Sequence, residues 1–241
     1  CRQLNRRFVR KEWVKQMKKL IKGGRVVDGT KKPAYAADVL VENDKIVKIG
    51  NIDTTEDMEV IDATGLVVAP GFIDTHSHSD LQILVDPEVR PKIMQGITTE
   101  VLGQDGISMA PLPPQYISPW RKNLAGLDGD SDEIDWNYQT TEGYLKMLEH
   151  VKPGLNECYL VPHGNIRMEA MGLENRLPNE EELEKMRQIT RREMEAGAIG
   201  LSTGLIYMPC AYSESKEIIE MCKVVAEYDG RFVIHQRSEA D

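Results

Sequence analysis

The sequence predicts an α/β fold: about five parallel βα units, of an open sheet or of a closed barrel, preceded by a small β module. Two observations carry this. From Leu66 onward, short apolar runs ending in polar residues alternate with longer stretches of helical period, the signature of parallel βα units. Before that point the chain holds only short β-prone runs separated by turn dipeptides. A third observation locates the chemistry: four of the five histidines fall at the C-terminal ends of the apolar runs, the edge at which parallel α/β folds place their active sites.

Taken in order, residues 1–16 form a basic extension in which Leu4, Phe8 and Trp13, with Met17 just beyond, recur at roughly helical spacing among Arg and Lys. This pattern suits a membrane-surface helix or a partner-binding tail; Met17, followed by a strand pattern, instead suits a natural start, with the preceding residues non-native or disordered. Residues 17–65 are the β module: Leu20–Ile21, Val26–Val27, Asp38 to Glu42, Ile46 to Ile49 and Glu59 to Asp62, punctuated by Gly23–Gly24, Asp28–Gly29 and Asn43–Asp44. Residues 66–241 are the βα region. Its apolar runs are Leu66 to Phe72, ending in Asp74-Thr75-His76-Ser77-His78; Thr98 to Leu102, ending in Gly103-Gln104-Asp105-Gly106; Glu157 to Val161, ending near His163; Ala198 to Leu201, ending in Ser202-Thr203-Gly204; and Arg231 to Ile234, ending in His235. Asn179 is expected to cap a helix that buries Leu183, Met186, Ile189 and Met194, and Ser213 to open another that runs to Asp229. The aperiodic stretch 110–139, with four prolines and the acidic run Asp128 to Asp135, reads as disordered or as a lid, and its place after the second run favours a lid.

Composition narrows the function. With 241 residues, 41% hydrophobic, the chain is an ordinary globular one, and no apolar run approaches the length of a membrane helix. Four cysteines without CxxC spacing read as reduced thiols, and a cytoplasmic location is expected. The net charge of −9 hides an asymmetry: residues 1–22 carry nine Lys or Arg against Glu12 alone, leaving 21 basic and 38 acidic residues, or −17, in the rest. So acidic a body repels phosphate backbones and excludes nucleic acid as a partner of the folded part.

Two histidines at i and i+2 on an extended segment point to one side, so His76 and His78 can both reach one metal ion. His235 and Asp105 stand at the ends of other runs and can join them. For Asp105 the competing reading is a turn residue before Gly106, and for His163 it is a hydrogen-bonded histidine at a sheet edge.

These motifs carry a resemblance. Val68-Ala69-Pro70-Gly71-Phe72-Ile73-Asp74-Thr75-His76-Ser77-His78, after a module containing Gly23-Gly24-Arg25-Val26-Val27-Asp28-Gly29, resembles the opening of the amidohydrolase superfamily. Within it, Gln95 to Thr99 continuing through Gly103 to Ser108, then Gly197 to Gly204 and His235-Gln236-Arg237-Ser238-Glu239, resemble the N-acyl-D-amino-acid deacylases, or D-aminoacylases, from about Lys19 onward. The resemblance implies an incomplete (β/α)8 barrel of the TIM type over residues 66–241, a flanking β-sandwich module over 17–65, and a zinc-dependent hydrolase, with one or two zinc ions, that cleaves the linear amide of a small N-acyl-D-amino acid. It implies His76, His78, Asp105 and His235 as metal ligands, and Ser202 and Tyr207 as substrate contacts, with packing the other reading of Tyr207. Well-studied members have cysteine where this chain has Asp105, a change in ligand softness that bears on metal identity and count. Hydantoinase-like and dihydroorotase-like relatives use a carboxylated lysine on the fourth strand; the run Ala198 to Gly204 has no lysine. Those cyclic amidases, a deaminase, or a non-catalytic assembly protein on the same fold are the alternatives. The family's sixth-strand histidine and late general-base aspartate have no counterpart before Asp241, so the chain is expected to be the N-terminal half of an enzyme, inactive alone.

Overall fold

A computed structural model of the chain describes residues 18–240, in two compact units that meet in sequence at Phe72 and Ile73. The basic extension lies outside the described residues.

The first unit is a sheet of β1 (Lys18–Val26), β2 (Tyr35–Glu42), β3 (Lys45–Gly50), β4 (Met58–Asp62) and the two-residue β5 (Val67–Val68). The strand order is β3-β2-β1-β4, antiparallel across β3, β2 and β1; β4 and then β5 run parallel to β1 at successive stretches of its length. An irregularity at Gly23–Gly24 separates the two stretches, and Asp38 pins it: buried, it accepts hydrogen bonds from Gly23 N (2.8 Å) and Ile52 N (3.1 Å). These bonds, that from Gly23 foremost, hold the Asp38 carboxyl below its ordinary range. Leu20, Leu40 and Ile52 form the small core beneath.

The second unit holds a five-stranded sheet: β6 (Phe72–Asp74), β7 (Ile97–Leu102), β8 (Asn156–Pro162), β9 (Gly200–Gly204) and β10 (Arg231–His235), in that spatial order. The registers β7–β8, β8–β9 and β9–β10 are parallel, with helices on the connections, and this is a partial (β/α)8 barrel. The run expected at Leu66 to Phe72 is divided. Pro70 and Gly71 interrupt it, so Val67–Val68 joins β1 and the barrel strand begins only at Phe72.

The connecting helices are α1 (Gln82–Val85), α2 (Arg90–Ile93), α3 (Ile117–Leu124), α4 (Thr141–Val151), α5 (His163–Met171), α6 (Glu180–Glu195) and α7 (Ser215–Glu227). Helix α6 has the expected cap, completed as a reciprocal box: Asn179 Oδ1 accepts from Glu182 N (2.8 Å) and Glu182 accepts from Asn179 N (2.9 Å). Ser213 does not cap α7; Glu214 takes that position, and the Ser213 hydroxyl donates to Cys210 O at 2.7 Å. The aperiodic stretch after β7 is packed. Trp120 and Leu124 of α3, with Trp136 and Tyr138, are buried in the same core as Leu102 and Tyr159. Trp120 Nε1 donates to Ser108 O (2.8 Å) and Tyr138 OH to Met109 O (2.8 Å), so large anchors order a segment that has no period to read. Among the described residues Cys210 and Cys222 are free thiols, and no helix is long and apolar enough to cross a membrane.

Candidate metal centre

The segment after β6 bends at Thr75 and His76 rather than continuing as a strand, and it sets His76 and His78 side by side, with ring centroids 5.3 Å apart. Asp74 steadies it by accepting from His76 N at 3.2 Å. The turn after β7 brings Asp105 against them. Asp105 has a φ of 57°, between Gly103 at 76° and Gly106 at 72°. Aspartate tolerates this left-handed region; the glycines are required by space as well. A Cβ on Gly103 would strike the Leu160 carbonyl oxygen, and one on Gly106 would come within 2.8 Å of Thr203 Cα.

The result is a buried carboxylate facing three imidazoles. Asp105 is 4% exposed, with His78 Nε2 at 3.2 Å and His76 Nε2 at 3.5 Å from its Oδ2, and His235 Nδ1 at 3.6 Å from its Oδ1. Oδ1 makes no hydrogen bond. Burial pushes the Asp105 carboxyl up, but the hydrogen bond from His78 and the histidine charges outweigh it and hold the group below the usual range. His78 is squeezed further. Its Nδ1 lies 3.2 Å from Asp128 Oδ1, so although burial lowers its pKa, Asp105 and Asp128 raise it to about 10. Ligand atoms of His76, His78 and Asp105 lie within 4.8 Å of one another, as do those of His78, Asp80 and Asp128. Imidazole nitrogens around a buried carboxylate with an unpartnered oxygen are the donor set that zinc takes, so these residues fit that ion.

Tyr207 sits edge-on to His235, centroids 5.4 Å apart, at the rim of this cluster. Ser202 and Thr203 lie within β9, not past it, and are fully buried. The Ser202 hydroxyl donates to Gly103 O and accepts from Gly106 N (3.1 Å), so it clamps the turn that carries Asp105. His163, the first residue of α5, is fully buried with both nitrogens taken, by Thr203 Oγ1 (2.9 Å) and Glu217 Oε1 (2.6 Å). Glu217 also pairs with Arg167. Two residues of the cluster, Asp80 and Asp128, were not anticipated. The continued alternation His76-Ser77-His78-Ser79-Asp80 is a signal for the first. The second stands in an acidic run that looks solvated in sequence.

The fold is a partial (β/α)8 barrel, and this cluster stands at the C-terminal ends of its strands. Residues 59–232 match the model of the Amidohydrolase family, and the chain belongs to that family. It is 36% identical to D-aminoacylase of Alcaligenes xylosoxydans xylosoxydans over 92% of its own length and 45% of the relative's. Among solved structures it resembles N-acyl-D-glutamate deacylase from Bordetella bronchiseptica, complexed with zinc and a phosphonate inhibitor, at a TM-score of 0.84 and 36% identity, covering 94% of this chain and 46% of that one. A D-aminoacylase studied for the role of its binuclear metal centre aligns at a TM-score of 0.82 and 34% identity, covering 92% and 45%. The chain thus spans under half the length of these relatives.

Proposed function

We propose that this chain supplies zinc ligands and part of the substrate pocket of a metal-dependent amidohydrolase that cleaves the linear amide of an N-acyl-D-amino acid. The observation that carries this reading is the approach of His76, His78 and His235 to the buried Asp105 carboxylate, at 3.2 to 3.6 Å. His76, His78, Asp105 and His235 hold one or two zinc ions. Bound zinc lowers the pKa of a water to about 7 and polarises the scissile carbonyl. Tyr207, half-buried beside His235, contacts the substrate, while Ser202 acts on it only through the turn it clamps. The names of the relatives favour an acylated D-amino acid, and β9 carries no lysine of the kind that cyclic amidases use. The segment 110–139 borders the cluster through Asp128, the place of a lid.

The full-length protein tests this directly. Zinc titration against a chelator should show tight binding that His78→Ala reduces at least a hundredfold. The loaded enzyme should release a free D-amino acid from its N-acyl derivative and leave the L-isomer nearly untouched. Faster turnover of a hydantoin or of dihydroorotate overturns the substrate class; absence of zinc binding overturns the whole reading.

A further inference from the structure

His78 has two ring nitrogens with different surroundings. Nε2 faces Asp105, while Nδ1 lies 3.2 Å from Oδ1 of Asp128. The Asp128 side chain is fully buried, and it arrives from a segment 50 residues further along the chain. An imidazole that gives the lone pair of one nitrogen to an ion must carry its proton on the other, and that N–H needs an acceptor if it is shielded from water. Asp128 stands where such an acceptor belongs.

We propose that Asp128 is a positioning residue: it accepts the Nδ1–H of His78, fixes its tautomer and ring orientation, and thereby lets the 110–139 segment set the zinc affinity of the centre. The inference rests on the zinc reading above. The segment is anchored on both sides of Asp128. Trp120 and Leu124 anchor α3 in the core before Asp128, and just after it Arg121 gathers Asp130 (2.7 Å) and Asp132 (2.6 Å). Asp80 lies close to the pair but is engaged elsewhere: its Oδ1 accepts from Gly103 N (2.7 Å) and from the Ser108 hydroxyl. Asp128 has no comparable backbone donor, and its bonded oxygen faces His78. Both neighbouring carboxylates also raise the alternative of a separate cation held by His78, Asp80 and Asp128. In that arrangement His78 would have to ligate through Nδ1, leaving Nε2–H toward Asp105.

The experiment is a zinc titration of the full-length protein in wild-type form and as Asp128→Ala, Asp128→Asn and His78→Ala, with thermal unfolding of each zinc-free protein alongside. Asp128→Ala should weaken zinc binding about 10- to 100-fold. Asp128→Asn, whose amide oxygen still accepts a hydrogen bond, should weaken it less; it also serves should the alanine variant fail to fold. In ring-nitrogen NMR of the zinc-loaded protein, the Nδ1–H tautomer of His78 should persist in the asparagine variant and lose its downfield hydrogen-bonded proton in the alanine one. Wild-type affinity in both Asp128 variants, with His78→Ala still defective, overturns this proposal alone. Loss of one zinc equivalent at unchanged affinity for the rest makes Asp128 a ligand and also overturns it. A wild-type protein that takes up no zinc overturns the functional reading and this inference together.

Discussion

Glu157 shows how a single side chain can oppose the fold that buries it. It sits in register with Glu100 across β7 and β8, is 2% exposed, and has no partner for either oxygen. Burial, then the charges of Glu100 and Asp80, push its carboxyl up to about 9. A group whose folded pKa exceeds its unfolded value contributes most below the unfolded pKa, so raising the pH from about 4.5 toward 9 costs stability. Glu157→Gln should therefore raise the free energy of unfolding at pH 7 by on the order of 2–3 kcal/mol, with the gain vanishing toward pH 4.5. Chemical denaturation of both proteins across that range checks it, and a pH-independent difference refutes it. At this scale the sequence was partly legible. The His76–His78 pair announces itself by its spacing, and Asp105 by its place after an apolar run. Asp128 does not, because its burial depends on Trp120, Leu124 and Trp136 packing together from an aperiodic stretch. The clamp that Ser202 makes on Gly103 and Gly106 is equally silent in sequence, because it joins β9 to a turn about a hundred residues earlier.

Elements were legible where local physics decides them. Helix α6 has its N-cap, three acidic residues in the first turn and an inward row of Leu183, Met186 and Ile189, all of which lie within its own sequence. Asn179→Ala removes one half of the capping box and should cost about 1 kcal/mol, measured by thermal unfolding. Asn179→Ser should recover most of it. Helix α7 is capped one residue later than Ser213, at Glu214, because Ser213 bonds back to Cys210, a choice its own segment does not announce. The four-residue helices α1 and α2 and the helix α3 escaped reading for a related reason. The first two are too short for periodicity to show, and α3 begins behind prolines. Strands β7, β8, β9 and β10 were placed to within a few residues, since each is an apolar run between turn residues.

For the five-stranded sheet as a whole, the proposed ligands come from its two edges as well as its interior: His76 and His78 follow β6, Asp105 follows β7, and His235 ends β10. An ion held by all four ties the first strand to the last, so zinc should stabilise the second unit as a whole. Free zinc at a hundred times its Kd should add about 2.7 kcal/mol to unfolding, read as a rise in Tm, and His78→Ala should abolish the shift. An equal shift in that variant would locate the stabilising ion elsewhere. The separation of these ligands also governs the order in which the chain is made. About 160 residues lie between His76 and His235. At synthesis rates of ~5–20 residues per second, the histidine pair is exposed for roughly 8 to 30 s before His235 leaves the ribosome. Until then a captured ion lacks the His235 nitrogen, so an ion held by all four residues is secured only after His235 has emerged.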